Sequence, residues 1–366
     1  MPLPAKFPVS AVPSLIDAAR AVADMAFANG AAIDRDDGFP VREVARLHET
    51  GLLTAPLAPA FGGAGLDHGP DLAAVLSTIG SGSLALGRLY EGHVNAIRLV
   101  NLYGDAVLQR RLARDIAGGA LSGVWNTEPD GGGVRLGPGF VLSGAKTFAS
   151  GAGHVTRPLI TARRGDDIVM VVPRLEAGSR ADLSGWTPQG MRASATGRVD
   201  FTELTMTPDQ ILGQPGDYHR EPHFSAGAWR FLAVQQGGMA RLLQLACRHL
   251  RDIGRDTDPH QRARIGQAAI AVETAALWVG RAAVAADDQP AEAAVTVVGL
   301  ARLAVERCAL DLLEAVQRSV GLAGFMRPHP LERFARDLAT YLRQPAPDRA
   351  LDLAAARVLE RGGVLS

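Results

Sequence analysis

The hydrophobic period of this chain changes twice along its length, and that limits the folds open to it more than any single motif does. Up to about residue 120 the apolar residues recur at helical spacing. Leu15, Ile16, Ala19, Val22 and Ala23 form one run, Val41, Val44, Ala45 and Leu47 a second, and Leu72, Val75, Leu76 and Ile79 a third. From about 121 to 212, short β-rich runs such as Phe140-Val141-Leu142-Ser143 and Ile168-Val169-Met170-Val171-Val172 alternate with Gly, Pro and Asp. Long helical patterns return after about residue 223. The pattern predicts an α+β multidomain chain with an N-terminal helical domain over 1–120, a central antiparallel β-barrel over 121–215 and a C-terminal helix bundle over 216–366. Asp256-Thr257-Asp258-Pro259 and Asp287-Asp288-Gln289-Pro290 read as inter-helix connections, because Asp caps helices and Pro suits a first helical turn.

Composition narrows the function classes. The formal charge is zero, with 38 basic and 38 acidic residues, so no basic surface for nucleic acid is expected. Cys247 and Cys308 sit inside apolar helical patterns and offer neither a metal-ligand spacing nor a disulfide framework, so no metal is expected. A reducing, cytoplasmic setting fits. Residues 1–6 carry no apolar signal core, and the apolar segments, broken by Arg or Asp, are expected to be core helices too short in apolar run to enter a membrane. The C-terminal helices hold more apolar surface than one bundle needs, at Trp278, Val279 and the 295–303 stretch, which predicts a homodimer or homotetramer through that bundle.

Asp130-Gly131-Gly132-Gly133-Val134-Arg135-Leu136-Gly137 superficially suggests a dinucleotide loop. Such a loop must open a helix whose N-terminus binds the pyrophosphate, and here Pro138-Gly139 and a β-type run follow. More telling are four stretches in a fixed order: Gly62-Gly63-Ala64-Gly65-Leu66-Asp67, Asn126-Thr127-Glu128-Pro129, Leu142-Ser143-Gly144-Ala145-Lys146 and Glu332-Arg333-Phe334-Ala335-Arg336-Asp337. Together they resemble the acyl-CoA dehydrogenase family along the whole chain.

The resemblance implies a flavoprotein, with FAD as the expected cofactor and FMN as the alternative. It places Thr127, with Asn126, along the flavin pyrimidine edge, where fixed donors stabilise the charge of the reduced ring. Phe148-Ala149-Ser150 occupies the family's Trp-Ile-Thr position, so Phe148 would pack on the ring and Ser150 approach N5. Gly133 falls where the family has a serine near the flavin pyrophosphate. Arg318, Gly321 and Gly324 fall on the family's glutamine- and glycine-rich loop, with Arg318 in the glutamine position. Gly190-Met191-Arg192-Ala193-Ser194 resembles the turn beside the substrate channel, which makes Arg192 either an ion-pair partner or a substrate contact; Trp229 is a second candidate substrate contact. Glu332, Arg333, Arg336 and Asp337 are spaced for ion pairs within one helix.

One expected residue is missing. Desaturation of an acyl thioester needs a carboxylate within reach of the α-proton while hydride leaves for the flavin. Where the family carries that glutamate this chain reads Arg343-Gln344-Pro345-Ala346-Pro347-Asp348, leaving Asp348 as the nearest acid. The alternative location, residues 224–231, has no acid, and Glu221 is the nearest. Reduced-flavin monooxygenases of the dibenzothiophene type, built on the same fold, also lack the glutamate and use a histidine, an asparagine and a serine in oxygen activation; His93, Asn126 and Ser150 lie in those relative positions. Dehydrogenation of a CoA thioester is the default expectation, oxygenation with a flavin reductase or other electron-transfer partner the alternative, and a catalytically idle or partner-binding protein the third.

Overall fold

A computed structural model of the chain describes residues 11–364, so the expectation about residues 1–6 lies outside the described part. Five helices come first: α1 (Ala11–Asn29), α2 (Val41–Glu49), α3 (Gly69–Gly82), α4 (Leu84–Tyr103) and α5 (Ala106–Ala117). Their starts follow capping chemistry. The Ser83 hydroxyl accepts from the Leu86 amide at the head of α4, and the Asp105 carboxylate accepts from Val107 and Leu108 at the head of α5.

Ten short strands follow: β1 (Ser122–Trp125), β2 (Arg135–Leu136), β3 (Val141–Ser143), β4 (Ala145–Ala149), β5 (Arg157–Arg164), β6 (Asp167–Val171), β7 (Ala181–Asp182), β8 (Gly197–Asp200), β9 (Leu204–Thr205) and β10 (Ile211–Leu212). They do not close into the expected antiparallel barrel. They form a mixed seven-stranded sheet in the order β10-β6-β5-β2-β3-β9, with β1 also on β5, and a separate β4-β8-β7 sheet. The pairings of β5 with β1 and with β2 are parallel. The reason lies in strand length. Only β5 is long, at eight residues, and β2, β7, β9 and β10 have two each, too few ladder bonds to carry a sheet round to closure. A half-barrel results.

The C-terminal helices are α6 (Trp229–Asp252), α7 (Pro259–Asp288), α8 (Ala291–Val320), α9 (Pro330–Tyr341) and α10 (Pro347–Glu360). Asp258 caps α7 by accepting from His260 and Gln261, with Pro259 in the first turn; Asp287 and Asp288 end α7 rather than belonging to the following connection. Contrary to expectation, α7 is long and apolar enough, by length and composition alone, to cross a bilayer. In this fold it packs against α6, α8 and α3. Trp278, Val279 and the 295–303 stretch are drawn into that packing and are buried or half-buried; the large apolar residues α7 leaves exposed are Ile270, Leu277 and Val284.

Two close approaches fix the site's surroundings. Helices α3 and α6 meet at Gly237, where a Cβ would lie 1.9 Å from the Ser77 carbonyl oxygen. The turn before β8 meets α9 at Gly190, where a Cβ would lie 2.1 Å from the Arg336 carbonyl oxygen. There the Met191 amide donates to Asp337 Oδ1 at 2.6 Å, and Arg336 pairs with both Glu332 and Asp34 at 2.6 Å. The predicted ion pair within α9 is therefore present, and α9 also ties the sheet domain to the N-terminal helices.

Candidate active site

A cavity of about 300 Å³ opens where α4, α6, the end of α7 and the loop after β1 converge. Helix α4 contributes Arg88, Glu91, Asn95 and Arg98, spaced three, four and three residues apart and therefore on one stripe of the helix. The opposite face, with Tyr90, His93, Val94 and Ile97, is buried in the core. Phe224, Trp229 and Phe231 supply an apolar wall, and Val124, Asn126 and Thr127 enter from the loop after β1.

The charged side chains of the cavity are connected. Glu91 accepts from Arg88 and Asn95 and lies 3.5 Å from the Tyr341 hydroxyl. Burial first, and Glu91 after it, push the Tyr341 phenol well above its ordinary range, so it stays a donor. Arg98 donates to Asp67 at 3.3 Å and to Asp287 at 3.1 Å, and Asp287 also accepts from the Gly69 amide at 2.9 Å. Arg230 donates to Asn95 Oδ1 at 3.1 Å and to the Gly227 carbonyl at 3.4 Å. His223 is the imidazole on the cavity wall. Burial lowers its pKa first, and Arg98 and Arg230 lower it further, so it is neutral at neutral pH.

The loop that bears Thr127 is held from below by Lys146. This lysine is fully buried; its ammonium donates to Thr161 Oγ1 at 2.9 Å and, at 3.3 Å each, to the Asn126 carbonyl and Glu128. Burial lowers its pKa and Glu128 opposes the shift. The Thr161 hydroxyl in turn donates to Asn126 Oδ1. Asn126 is thus fixed through both its carbonyl and its side-chain oxygen, while the Thr127 carbonyl accepts from the Thr147 amide at 3.0 Å.

Phe148 and Ser150 stand at the end of β4. Phe148 is 64 % exposed and has φ of +50°, on the bulge where the β4–β8 register shifts. An exposed aromatic residue in left-handed backbone is costly, which makes Phe148 a candidate for contact with a ligand. Behind Ser150 runs a hydroxyl chain. Ser194 donates to the Met191 carbonyl at 2.8 Å, Thr196 lies 2.8 Å from Ser194, and Thr196 donates to Ser150 Oγ at 3.3 Å. The Ser150 proton is left uncommitted by this chain. Neither Phe148 nor Ser150 is among the residues that line the cavity; the Thr147 amide on the Thr127 carbonyl sets their strand beside the loop that does.

Other candidates fall elsewhere. His93 does not line the cavity. It is fully buried, its Nδ1 accepts from the Ser122 amide at 3.0 Å, and its Nε2 lies 2.8 Å from the Leu53 carbonyl, so both nitrogens serve the core. Asp348 is exposed in the first turn of α10 and is not among the cavity residues, whereas Pro345 is. Arg192 forms an ion pair with Asp36 at 2.7 Å and lies outside the cavity, which places it with the structural alternative. Arg318 is solvent-exposed and pairs with Glu314 at 3.3 Å; Gly321 and Gly324 form the turn that follows α8, away from the cavity lining. Gly133 abuts the Glu128 side chain, so a serine there would displace it. The charged residues Arg88, Glu91, Arg98 and Arg230, and His223, belong to none of the sequence motifs. The three-four-three spacing of polar residues inside the otherwise apolar α4 pattern was the available signal.

Residues 13–120 match the acyl-CoA dehydrogenase N-terminal domain. The chain is 28% identical to a glutaryl-CoA dehydrogenase of Desulfococcus multivorans over 336 residues, covering 84% of this chain and 85% of that one. It is 28% identical over 216 residues to a dibenzothiophene monooxygenase of Rhodococcus erythropolis, covering 55% of this chain and 51% of the relative, so that match spans about half of each. The complex of TdsC from Paenibacillus sp. A11-2 with FMN and indole superposes with a TM-score of 0.85 at 20% identity, over 95% of this chain and 97% of that one.

Proposed function

The chain has the acyl-CoA dehydrogenase-like flavoprotein fold, and on it we propose a reduced-flavin-dependent monooxygenase that acts on a small molecule held in the cavity beside Asn126 and Thr127. One observation carries this reading over desaturation. The carboxylates on the cavity wall, Glu91 and Asp287, are both already engaged by arginine and by a further N–H donor. A base for α-proton removal must offer a free oxygen, and Glu91 would first have to release Arg88 or Asn95. A neutral imidazole, His223, faces the same space and can exchange a proton with a substrate oxygen.

We assign FMN as the cofactor in preference to FAD. What supports this is that the similar TdsC structure holds FMN, and that Arg318, at the family's glutamine position, is exposed and paired with Glu314. When bound in reduced form, flavin would supply two electrons and the oxygen-activating centre. Thr127 and Asn126 would hold its polar edge, Phe148 its face, and Ser150 would place a hydroxyl proton at a ring nitrogen. Trp229 and Phe231, which line the cavity, would exclude water from the substrate side. Reduction would come from a separate flavin reductase, the electron-transfer partner expected for this chemistry.

A second reading, dehydrogenation of an acyl thioester, draws on the match to the glutaryl-CoA dehydrogenase over most of the chain. Anaerobic mixing of the flavin-loaded protein with a panel of acyl-CoA thioesters separates the two. We expect no bleaching of the flavin, and oxygen-dependent turnover only when reduced FMN is supplied. Rapid bleaching that disappears in Glu91→Gln and survives in His223→Gln would replace oxygenation by dehydrogenation.

A further inference from the structure

The buried polar atoms on the cavity wall that lack a protein partner are all donors. They are Nε of Arg98, Nε1 of Trp229 and Nε of Arg230. Trp229 is fully buried and Arg230 is 6 % exposed. Orphaned buried donors are uncommon, and each costs the desolvation of its group unless something accepts from it. Among the described residues no carboxylate lies within ion-pair distance of Arg230, whose hydrogen bonds go to an amide oxygen and a carbonyl. The acids nearby are committed elsewhere: Glu91 to Arg88 and Asn95, Asp67 to Arg98 and Asn101, and Asp287 to Arg98 and the Gly69 amide.

We infer that this cavity binds the anionic group of its ligand, a carboxylate or a phosphate, on Arg230, and packs the ligand's apolar body against Phe224 and Phe231. An anion supplies several acceptor lone pairs at once and a counter-charge in direct contact with Arg230, where a neutral carbonyl supplies only acceptors. Burial, and then Arg98, pull the pKa of that guanidinium down to about 10, while Asp287, Glu91 and Asp67 oppose the shift from beyond ion-pair distance. The assignment deepens the proposed function, since it takes the cavity to be the substrate chamber, and it restricts the substrate to acids.

The test uses the FMN-loaded protein with two probes of one shape, 2-naphthoate and its neutral amide 2-naphthamide, and calorimetry as the readout. The acid is expected to bind about tenfold or more tighter than the amide. In Arg230→Met that preference should vanish while amide affinity stays within roughly threefold, and Arg230→Lys should retain part of it. Equal binding of acid and amide by the unaltered protein would overturn the inference without recourse to any variant. So would an undiminished preference in Arg230→Met. FMN and riboflavin are compared in the same variants. A loss of FMN binding with riboflavin unaffected would mean that the anion is the flavin's own phosphate, and would also overturn it. The flavin spectrum distinguishes this inference from the proposed function. Tight naphthoate binding with an unmoved spectrum supports the anion site but removes it from the flavin chamber. Flavin binding beside Thr127 with no preference for the acid sinks the anion site and leaves oxygenation standing.

Discussion

The Asp337 carboxylate accepts the Met191 amide at 2.6 Å, which joins the turn before β8 to the face of α9 across a buried seam. Two motifs separated by 146 residues are halves of one joint. From its Met191 carbonyl the hydroxyl chain through Ser194 and Thr196 leads to Ser150, so the joint sets where that serine stands. Replacing Asp337 by Ala leaves a buried N–H unsatisfied and is expected to cost about 1–3 kcal/mol, read as a lower urea midpoint. Flavin affinity should fall as well. An unchanged midpoint would mean that the seam is not part of the stability of the fold.

Histidine 93 predicts how stability responds to acid. Burial lowers its folded-state pKa to about 4, against an unfolded value near 6.5. The folded chain therefore binds this proton less readily than the unfolded chain. Stability is fully present above pH 6.5 and is lost as the pH falls from there toward 4, by up to about 3 kcal/mol. Asp337 works the other way, since burial pushes its folded-state pKa up to about 6, so it costs stability above that pH and ceases to do so by about 3.8. Unfolding free energies of the unaltered protein and His93→Gln, measured between pH 7.5 and 5, isolate the histidine. The difference between them should shrink on acidification. A constant difference would mean that the imidazole is not held neutral.

Lys146 predicts the behaviour of the loop that carries Thr127. Replacement by Met removes the donors to Asn126, Glu128 and Thr161 and leaves their oxygens facing a buried methyl group. We expect a loss of about 2–4 kcal/mol in stability and at least about tenfold weaker FMN binding, if misplaced loop donors cost the ring roughly one charged hydrogen bond. Thr161→Val should weaken flavin binding in the same direction and less. Flavin affinity unaltered in Lys146→Met would detach this loop from the cofactor.

Self-association is predicted through α7. Ile270, Leu277 and Val284 lie seven residues apart, so they form one exposed apolar stripe. Light scattering at micromolar concentration should give a dimer or tetramer, and Leu277→Glu should shift it toward monomer without altering the circular dichroism. A monomeric unaltered protein would remove this face as an interface.

The helix–sheet–helix order was legible because hydrophobic period reports which faces are buried, whatever the chain's activity. The half-barrel was not, because two-residue strands have no period to detect and parallel pairing to β5 depends on contacts distant in sequence. Asn126, Thr127 and Trp229 line the cavity, whereas the support that Lys146 gives the loop shows only in the fold, since its motif does not say what the ammonium meets. His93 misled because position along the chain was read without position around the helix. Two residues from Glu91 carry it about 200° round α4, into the core and away from the stripe that holds Glu91. Arg230 and His223 belong to no motif, and only the fold brings them opposite α4.

The stripe on α4 has a consequence for divergence within such scaffolds. Positions 88, 91, 95 and 98 meet the ligand space, while the residues between them fill the core. Those four side chains also hold one another and their neighbours, Glu91 through Arg88, Asn95 and Tyr341, and Arg98 through Asp67 and Asp287. Chemical taste and foldability are therefore coupled along a single element, and a change of charge at one position leaves a buried partner unpaired unless that partner changes with it. A library over these four codons and Arg230 would have to vary them as compensating pairs to sample new molecules without losing the architecture that presents them.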